Sequence, residues 1–292
     1  MQAHVLPRFY LEGFTDPDTP VGQEPYAWYM QADQRVWRRR APRNLATKPD
    51  YYLTAEADLA QIESEAARIL RRIVAMEGLE EEDRYTFAVF VAIMAARVPA
   101  QHEPIQDFLN ERGRKRLALL HTAYSREPWR LEAGKARYRE ETGRTDCDDL
   151  KPADFSPANV EITANRVAVL GFAFSAVVPW ARTITEMGWR FLTSNEADYF
   201  ITSDHPLYIW DGKNLPNGQI KLLDPNVEIT LPLTRNVAFF AGWQSEGTQW
   251  QRVPTDLVAE INWRSTYGAP ELLIAPKPNF PGSSELYQAV PA

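Results

Sequence analysis

Apolar residues recur at helical spacing through residues 55–77, where Leu59, Ile62, Ala66, Ile69, Leu70 and Ile73 form one stripe. Thr54 is placed to cap this helix, acidic residues fill its first turn, and Arg68, Arg71 and Arg72 suit its end, with Gly78 as the stop. Residues 80–98 repeat the pattern through Phe87, Phe90, Val91, Ile93 and Met94, and Pro99 closes it. Residues 104–122 predict a third helix and 129–142 a polar fourth. A long fifth is predicted over 158–187, kinked at Pro179. The acidic stretch 143–157 reads as a loop.

Strand patterns flank these helices. Residues 26–31 and 35–40 predict two strands around Ala32-Asp33-Gln34, a break of hairpin length. Before them, 6–14 reads as a short apolar helix or turn. Beyond residue 188, strands are predicted over 189–193, 199–203, 221–223, 227–233, 237–243 and 272–275. Asn214 to Gly218 reads as a turn, 253–267 as a last helix, and the tail after Pro276 as loose. Segregated helices and strands indicate an α+β protein. The expected architecture is a central helical bundle with an antiparallel sheet, formed mainly by the C-terminal half plus the N-terminal hairpin, because a lone hairpin is marginal. The expected organisation is 1–54 packing with the C-terminal sheet, 55–188 helical, 189–276 sheet with one helix, and 277–292 tail.

Composition narrows the classes. The 292 residues are 45% hydrophobic and 24% charged, as in globular proteins large enough to need no disulfide staples. A net charge of -7 argues against a general nucleic-acid binder. The basic clusters Arg35, Arg38, Arg39, Arg40, Arg43 and Arg112, Arg114, Lys115, Arg116 read as solvated faces. The single cysteine, Cys147, lies in the acidic run 146–149. It can form no internal disulfide and its neighbours disfavour the thiolate, which fits a reducing compartment. No signal-peptide pattern opens the chain. The longest apolar run, Val167 to Ala181, is roughly 15 residues against the ~20 a bilayer requires, so it reads as a core helix. The expected location is cytoplasmic, with no membrane partner. Zinc spacing, P-loop, dinucleotide fingerprint, nucleophile elbow and H-E-x-x-H are all absent.

An ordered set of short motifs remains. His4 to Phe14 fits H-x-x-P-x-x-Y-L-x-x-F. It is followed by Pro42-Arg43-Asn44-Leu45-Ala46, Tyr51-Tyr52, Ile62-Glu63, Arg97-Val98-Pro99, Thr202-Ser203-Asp204-His205-Pro206 and Leu231-Pro232-Leu233. Taken in order, residues 4–265 resemble a large bacterial family catalogued as a domain of unknown function, with the later motif T-S-D-x-P. His205 departs from the family pattern, where asparagine is more usual, and this counts against a catalytic role for it. The resemblance supplies no activity.

The polar residues within these patterns carry the functional expectation. Glu63 falls in the arc of Leu59, Leu70 and Val74, and Arg97 on the face of Phe90, Ile93 and Met94. A carboxylate in an apolar stripe must be protonated, paired or bound to metal. Either Glu63 and Arg97 form one buried ion pair, or both line a polar cavity. Asp204 ends a strand before Pro206, as a site residue or as an Asx-turn. Ser203-Asp204-His205 is no triad, since strand neighbours point to opposite faces. His4 could move a proton or bind metal, whereas His102 and His121 read as structural. Several of the nine tryptophans adjoin arginine, as at Trp37, Trp129, Trp189 and Trp263, which suits core edges or base-stacking platforms.

Two readings follow. In the first, His4, Arg8, Glu63, Arg97 and Asp204 converge as a hydrolase site for a phosphate-containing substrate, a nucleotide or nucleic acid. Glu63 and Asp204 hold a divalent cation there, Arg8 or Arg97 an anionic group, and His4 moves a proton. In the second, the Glu63–Arg97 pair is structural and the Trp/Arg surface of a non-catalytic module binds a partner or nucleic acid.

Overall fold

The computed structural model describes residues 2–49, 52, 56–210, 222–267 and 271–283. In chain order the elements are β1 (Gln2–His4), α1 (Arg8–Glu12), β2 (Ala27–Gln31), β3 (Trp37–Arg40), β4 (Thr47–Pro49), α2 (Glu56–Val74), α3 (Glu81–Ala96), α4 (His102–Arg126), α5 (Trp129–Thr142), α6 (Arg166–Ser175) and α7 (Val177–Glu186). There follow β5 (Gly188–Thr193), β6 (Thr202–Ser203), β7 (Tyr208–Trp210), β8 (Glu228–Thr234), β9 (Val237–Gly242), β10 (Thr248–Arg252), α8 (Thr255–Arg264) and β11 (Leu272–Ala275). The class is α+β. Contacts divide the chain into two units, residues 1–100 with 174–292, and residues 101–173. The expected helical region 55–188 is thus shared: α2, α3 and α7 belong to the first unit, α4 and α5 to the second.

In the first unit the expected single sheet is two. The β2–β3 hairpin forms and pairs antiparallel with β11, giving the order β3-β2-β11-β6, with Trp28 opposite Ala275. The other sheet runs β10-β5-β9-β8-β7. There β5, β9 and β8 are each flanked on both sides, which leaves the hairpin no place among them. The β10–β5 pair is parallel. A separate ribbon pairs β1 with β4.

Helix α3 lays its apolar face on the five-stranded sheet. Phe87 is fully buried, with ring centroids 5.4–6.2 Å from Trp189, Phe191 and Phe239. Arg84, on the same helix, stacks over Trp189 at 4.0 Å and donates to the carbonyls of Thr185 and Met187 and the Thr248 hydroxyl. Burial lowers its pKa, and these acceptors hold the cation in place. Gly188 starts β5 because a Cβ there would overlap the Ser245 carbonyl.

Several boundaries differ from the expectation for identifiable reasons. Helix α2 ends at Val74, before Gly78. Met76 takes the left-handed conformation (φ 57), with Met76 N–H bonded to Ile73 O and Glu77 N–H to Arg72 O, a Schellman closure without glycine. The long fifth helix is two. Pro179 cannot donate to the Ser175 carbonyl and its ring crowds it, so the break falls at Ala176. Among the described residues, 166–186 is the one span long and apolar enough to cross a membrane, by length and composition alone, and this break divides it. The predicted strand at 221–223 is a turn at Leu222 and Leu223. Thr54, Asn214 to Gly218 and Lys221 lie outside the described residues.

The second unit is built on α4 and α5. Residues 158–165, expected as helix, run along α4 instead. Ala164 N–H donates to Asn110 Oδ1 at 2.6 Å, Gln106 Nε2 donates to Ala164 O at 2.9 Å, and Gly113 makes room for Ile162.

Candidate acid–base site

The N-terminal motif packs into the core. Val5, Leu6, Tyr10, Leu11 and Phe14 are buried, and the Pro7 carbonyl accepts the N–H groups of Tyr10 and Leu11 at 3.1 Å, which sets the single turn of α1. Tyr10 donates its hydroxyl proton to Pro232 O at 2.8 Å, so the 2.6 Å bond to Thr202 Oγ1 is donated by Thr202. Burial pushes the Tyr10 pKa well above the usual phenol range, against a smaller opposing effect of the Thr202 hydrogen bond. Arg8 lies on the outer side of α1, where its Nε pairs with Glu12 at 2.9 Å and both side chains are exposed.

The bond between Tyr10 and Thr202 brings this motif to β6, and Asp204 follows at once. Asp204 N–H donates to Leu272 O at 3.1 Å, and Asp204 Oδ1 accepts the Leu272 N–H at 3.2 Å. The carboxyl thereby clamps the end of β6 to the start of β11, rather than forming a local turn alone. Ser203 Oγ accepts the His205 N–H at 3.2 Å. Burial raises the Asp204 pKa. The Leu272 N–H and Lys48 oppose the rise, and the Glu271 charge adds to it. Burial lowers the His205 pKa, so the imidazole favours its neutral form.

Lys48 and Glu271 were not anticipated, because neither sits in an apolar pattern. The β1–β4 ribbon supplies Lys48, whose Nζ is 3.9 Å from Glu271 Oε2. In the same ribbon Ala3 lies opposite Lys48 and His4 opposite Thr47. Ala46, just before β4, holds a left-handed backbone (φ 47) with its carbonyl bonded to Val5 N–H at 2.7 Å. That conformation costs a non-glycine residue roughly 1–2 kcal/mol. The candidate site thus groups Asp204, Glu271 and Lys48, and His4 lies in the strand paired with the one that carries Lys48.

Glu63 and Arg97 meet elsewhere in the first unit. Arg97 Nη1 donates to Glu63 Oε1 at 2.6 Å, with side-chain exposures of 4% and 26%. The Tyr52 ring lies 5.1 Å from the guanidinium, and Tyr52 donates its hydroxyl to Arg97 O at 3.0 Å. No described hydrogen bond or ion pair joins this couple, or Arg8, to Asp204. Among the described residues, no three His, Cys, Asp or Glu side chains are grouped to hold a metal.

Within the arginine-rich segment 35–43, Arg38, Arg39 and Arg40 lie exposed on the edge strand β3. Arg39 stacks over Tyr26 and Trp28 at 5.0 and 4.4 Å, and Arg40 over Tyr29 at 5.0 Å. Trp189 is fully buried beneath Arg84 and Trp37 meets Phe280 edge-on, so these indoles serve the fold.

The model of the family described as "Protein of unknown function (DUF4238)" matches residues 2–277. The chain belongs to this family. The DUF4238 match runs from β1 through β11 and so takes in the Tyr10–Thr202 contact, the Asp204 clamp and the Glu63–Arg97 pair alike. No curated protein and no solved structure matches the chain.

Proposed function

We propose that the protein is a cytoplasmic hydrolase of a phosphate-containing substrate, a nucleotide or nucleic acid, with its acid–base chemistry at Asp204. The supporting observation is a carboxyl raised by burial beside a second carboxylate, Glu271, and an ammonium, Lys48. A carboxyl that holds its proton more tightly than usual can protonate a leaving oxygen, and its conjugate base can then activate water. Lys48 takes the anion-holding role expected of Arg8 or Arg97, because those arginines bond Glu12 and Glu63. His4 serves as the second proton carrier from the neighbouring strand. In this reading a divalent cation takes an oxygen ligand from Glu271, in place of Glu63 and Asp204, which keeps the Asp204 carboxyl for the proton.

Hydrolysis of bis(4-nitrophenyl) phosphate and of a fluorescent oligonucleotide, with Mg²⁺ or Mn²⁺, tests the reading. Turnover by the wild type and a loss of about 10²-fold or more in Asp204→Asn and Lys48→Met is expected. Equal rates in wild type and Asp204→Asn would sink it. The non-catalytic reading gains from one observation, the row Arg38, Arg39 and Arg40 exposed on the edge strand β3. Retention of the oligonucleotide without turnover would favour it.

A further inference from the structure

The second unit holds a cleft of about 350 Å³, between α4, α5 and the loop that follows α5. Three aromatic rings line it from three different segments: Tyr124, Tyr138 and Phe155. Tyr124 and Phe155 meet edge to face, with centroids 4.9 Å apart and planes at 77°.

The charges at the cleft are unequally matched. Lys135 is nearly buried, with a side-chain exposure of 9%, and its Nζ donates to Glu132 Oε1 at 2.8 Å and to Asp148 O at 3.0 Å. Its charge is therefore already balanced. Among the described residues Asp146 has only the Tyr138 hydroxyl, at 3.5 Å, and no ion pair. The charge left over at the cleft is negative.

Gly134 adds an independent sign. It lies inside α5, where glycine weakens a helix. A Cβ there would meet only the Tyr124 hydroxyl, at 3.9 Å, so no clash requires glycine. What the missing side chain does is leave the cleft floor open.

We propose that this cleft binds an organic ammonium cation, of the quaternary or methylated class. Aromatic faces present negative quadrupoles to such a cation, and a methylated ammonium loses little by leaving water because it has few or no N–H groups to hydrate. Asp146 supplies the counter-charge. An anionic ligand meets Asp146, and Lys135, the one cation among the described lining residues, is already paired. The site lies outside the proposed hydrolase centre and does not depend on it.

The chain's single cysteine, Cys147, lines the same cleft, so its alkylation by N-ethylmaleimide reports occupancy. Labelling rates are compared in choline, in tetramethylammonium, in 3,3-dimethylbutan-1-ol as the neutral mimic of choline, and in sodium chloride at matched ionic strength. Choline and tetramethylammonium should slow labelling saturably, half-maximally at roughly 1–10 mM as expected for a few cation–π contacts. The alcohol and the salt should not. Asp146→Asn and Gly134→Leu should remove the protection while keeping the helical circular dichroism. An absence of saturable protection in the wild type overturns the proposal, as does equal protection by the neutral alcohol. Both outcomes are read on the unaltered chain and need no variant to fold.

Discussion

Tyr10 and Thr202 share a 2.6 Å hydrogen bond between buried side chains that lie 192 positions apart. It joins the N-terminal motif to the strand that ends at Asp204. Tyr10→Phe leaves the Pro232 carbonyl and the Thr202 hydroxyl buried without this partner, and should cost about 1–3 kcal/mol. Thr202→Val should cost much less in the Tyr10→Phe background than in wild type. Urea midpoints at unchanged slope check both.

The Glu63–Arg97 pair should behave as a structural couple. Glu63→Gln leaves Arg97 buried with a weaker partner, and a loss of about 1.5–3 kcal/mol is expected. Replacing both with apolar residues, Glu63→Leu with Arg97→Met, should recover most of it. Any rise in thermal midpoint produced by Mg²⁺ should persist in Glu63→Gln and vanish in Glu271→Gln. The reverse pattern would return the metal to Glu63.

Asp204 and His205 should give stability opposite dependences on pH. The Asp204 pKa is raised above its ordinary 3.8, so its contribution is full below that value and is lost as pH rises through the folded pKa. Asp204→Asn, which carries no charge, should therefore gain on wild type as pH rises. The His205 pKa is depressed below 6.5, so its contribution is full above 6.5 and lost as pH falls through the folded pKa. His205→Gln should flatten the acid side. Denaturant unfolding across pH 4–8 reads both slopes.

Two glycines should respond with opposite signs. Gly188→Ala drives a methyl into the Ser245 backbone and should destabilise by about 1–3 kcal/mol or more. Gly171, exposed in α6 with nothing within 4 Å of a built Cβ, should gain about 1 kcal/mol as alanine. Thermal midpoints of the two variants decide it.

The features legible in the chain were those written in local periodicity. The α5 limits, the β2–β3 hairpin and β11 are of this kind. A charge inside an apolar stripe also announced its need for a partner, and Glu63 and Arg97 meet. The unreadable features come from non-local pairing. Strand β10 is largely polar, Thr-Gln-Trp-Gln-Arg, and is held by its parallel ladder to β5 rather than by an apolar alternation. Lys48 and Glu271 lie in unremarkable polar segments. Only the β1–β4 ribbon and the start of β11 bring them to Asp204. Pro179 was read as a kink, yet its effect falls one turn earlier, where the carbonyl it cannot serve lies.

The pairing of Trp28 with Ala275 also sets a schedule for the chain at the ribosome. With synthesis at about 5–20 residues per second, the ~250 residues between them take on the order of 10–50 s. During that interval β2 has no β11, and Tyr10 has neither Thr202 nor Pro232. The nascent segment must carry Leu6, Leu11 and Phe14 without these partners, while residues 101–173 emerge with their own contacts to make. The first unit closes only when its last strand is released, which makes its early segment a natural client for chaperones.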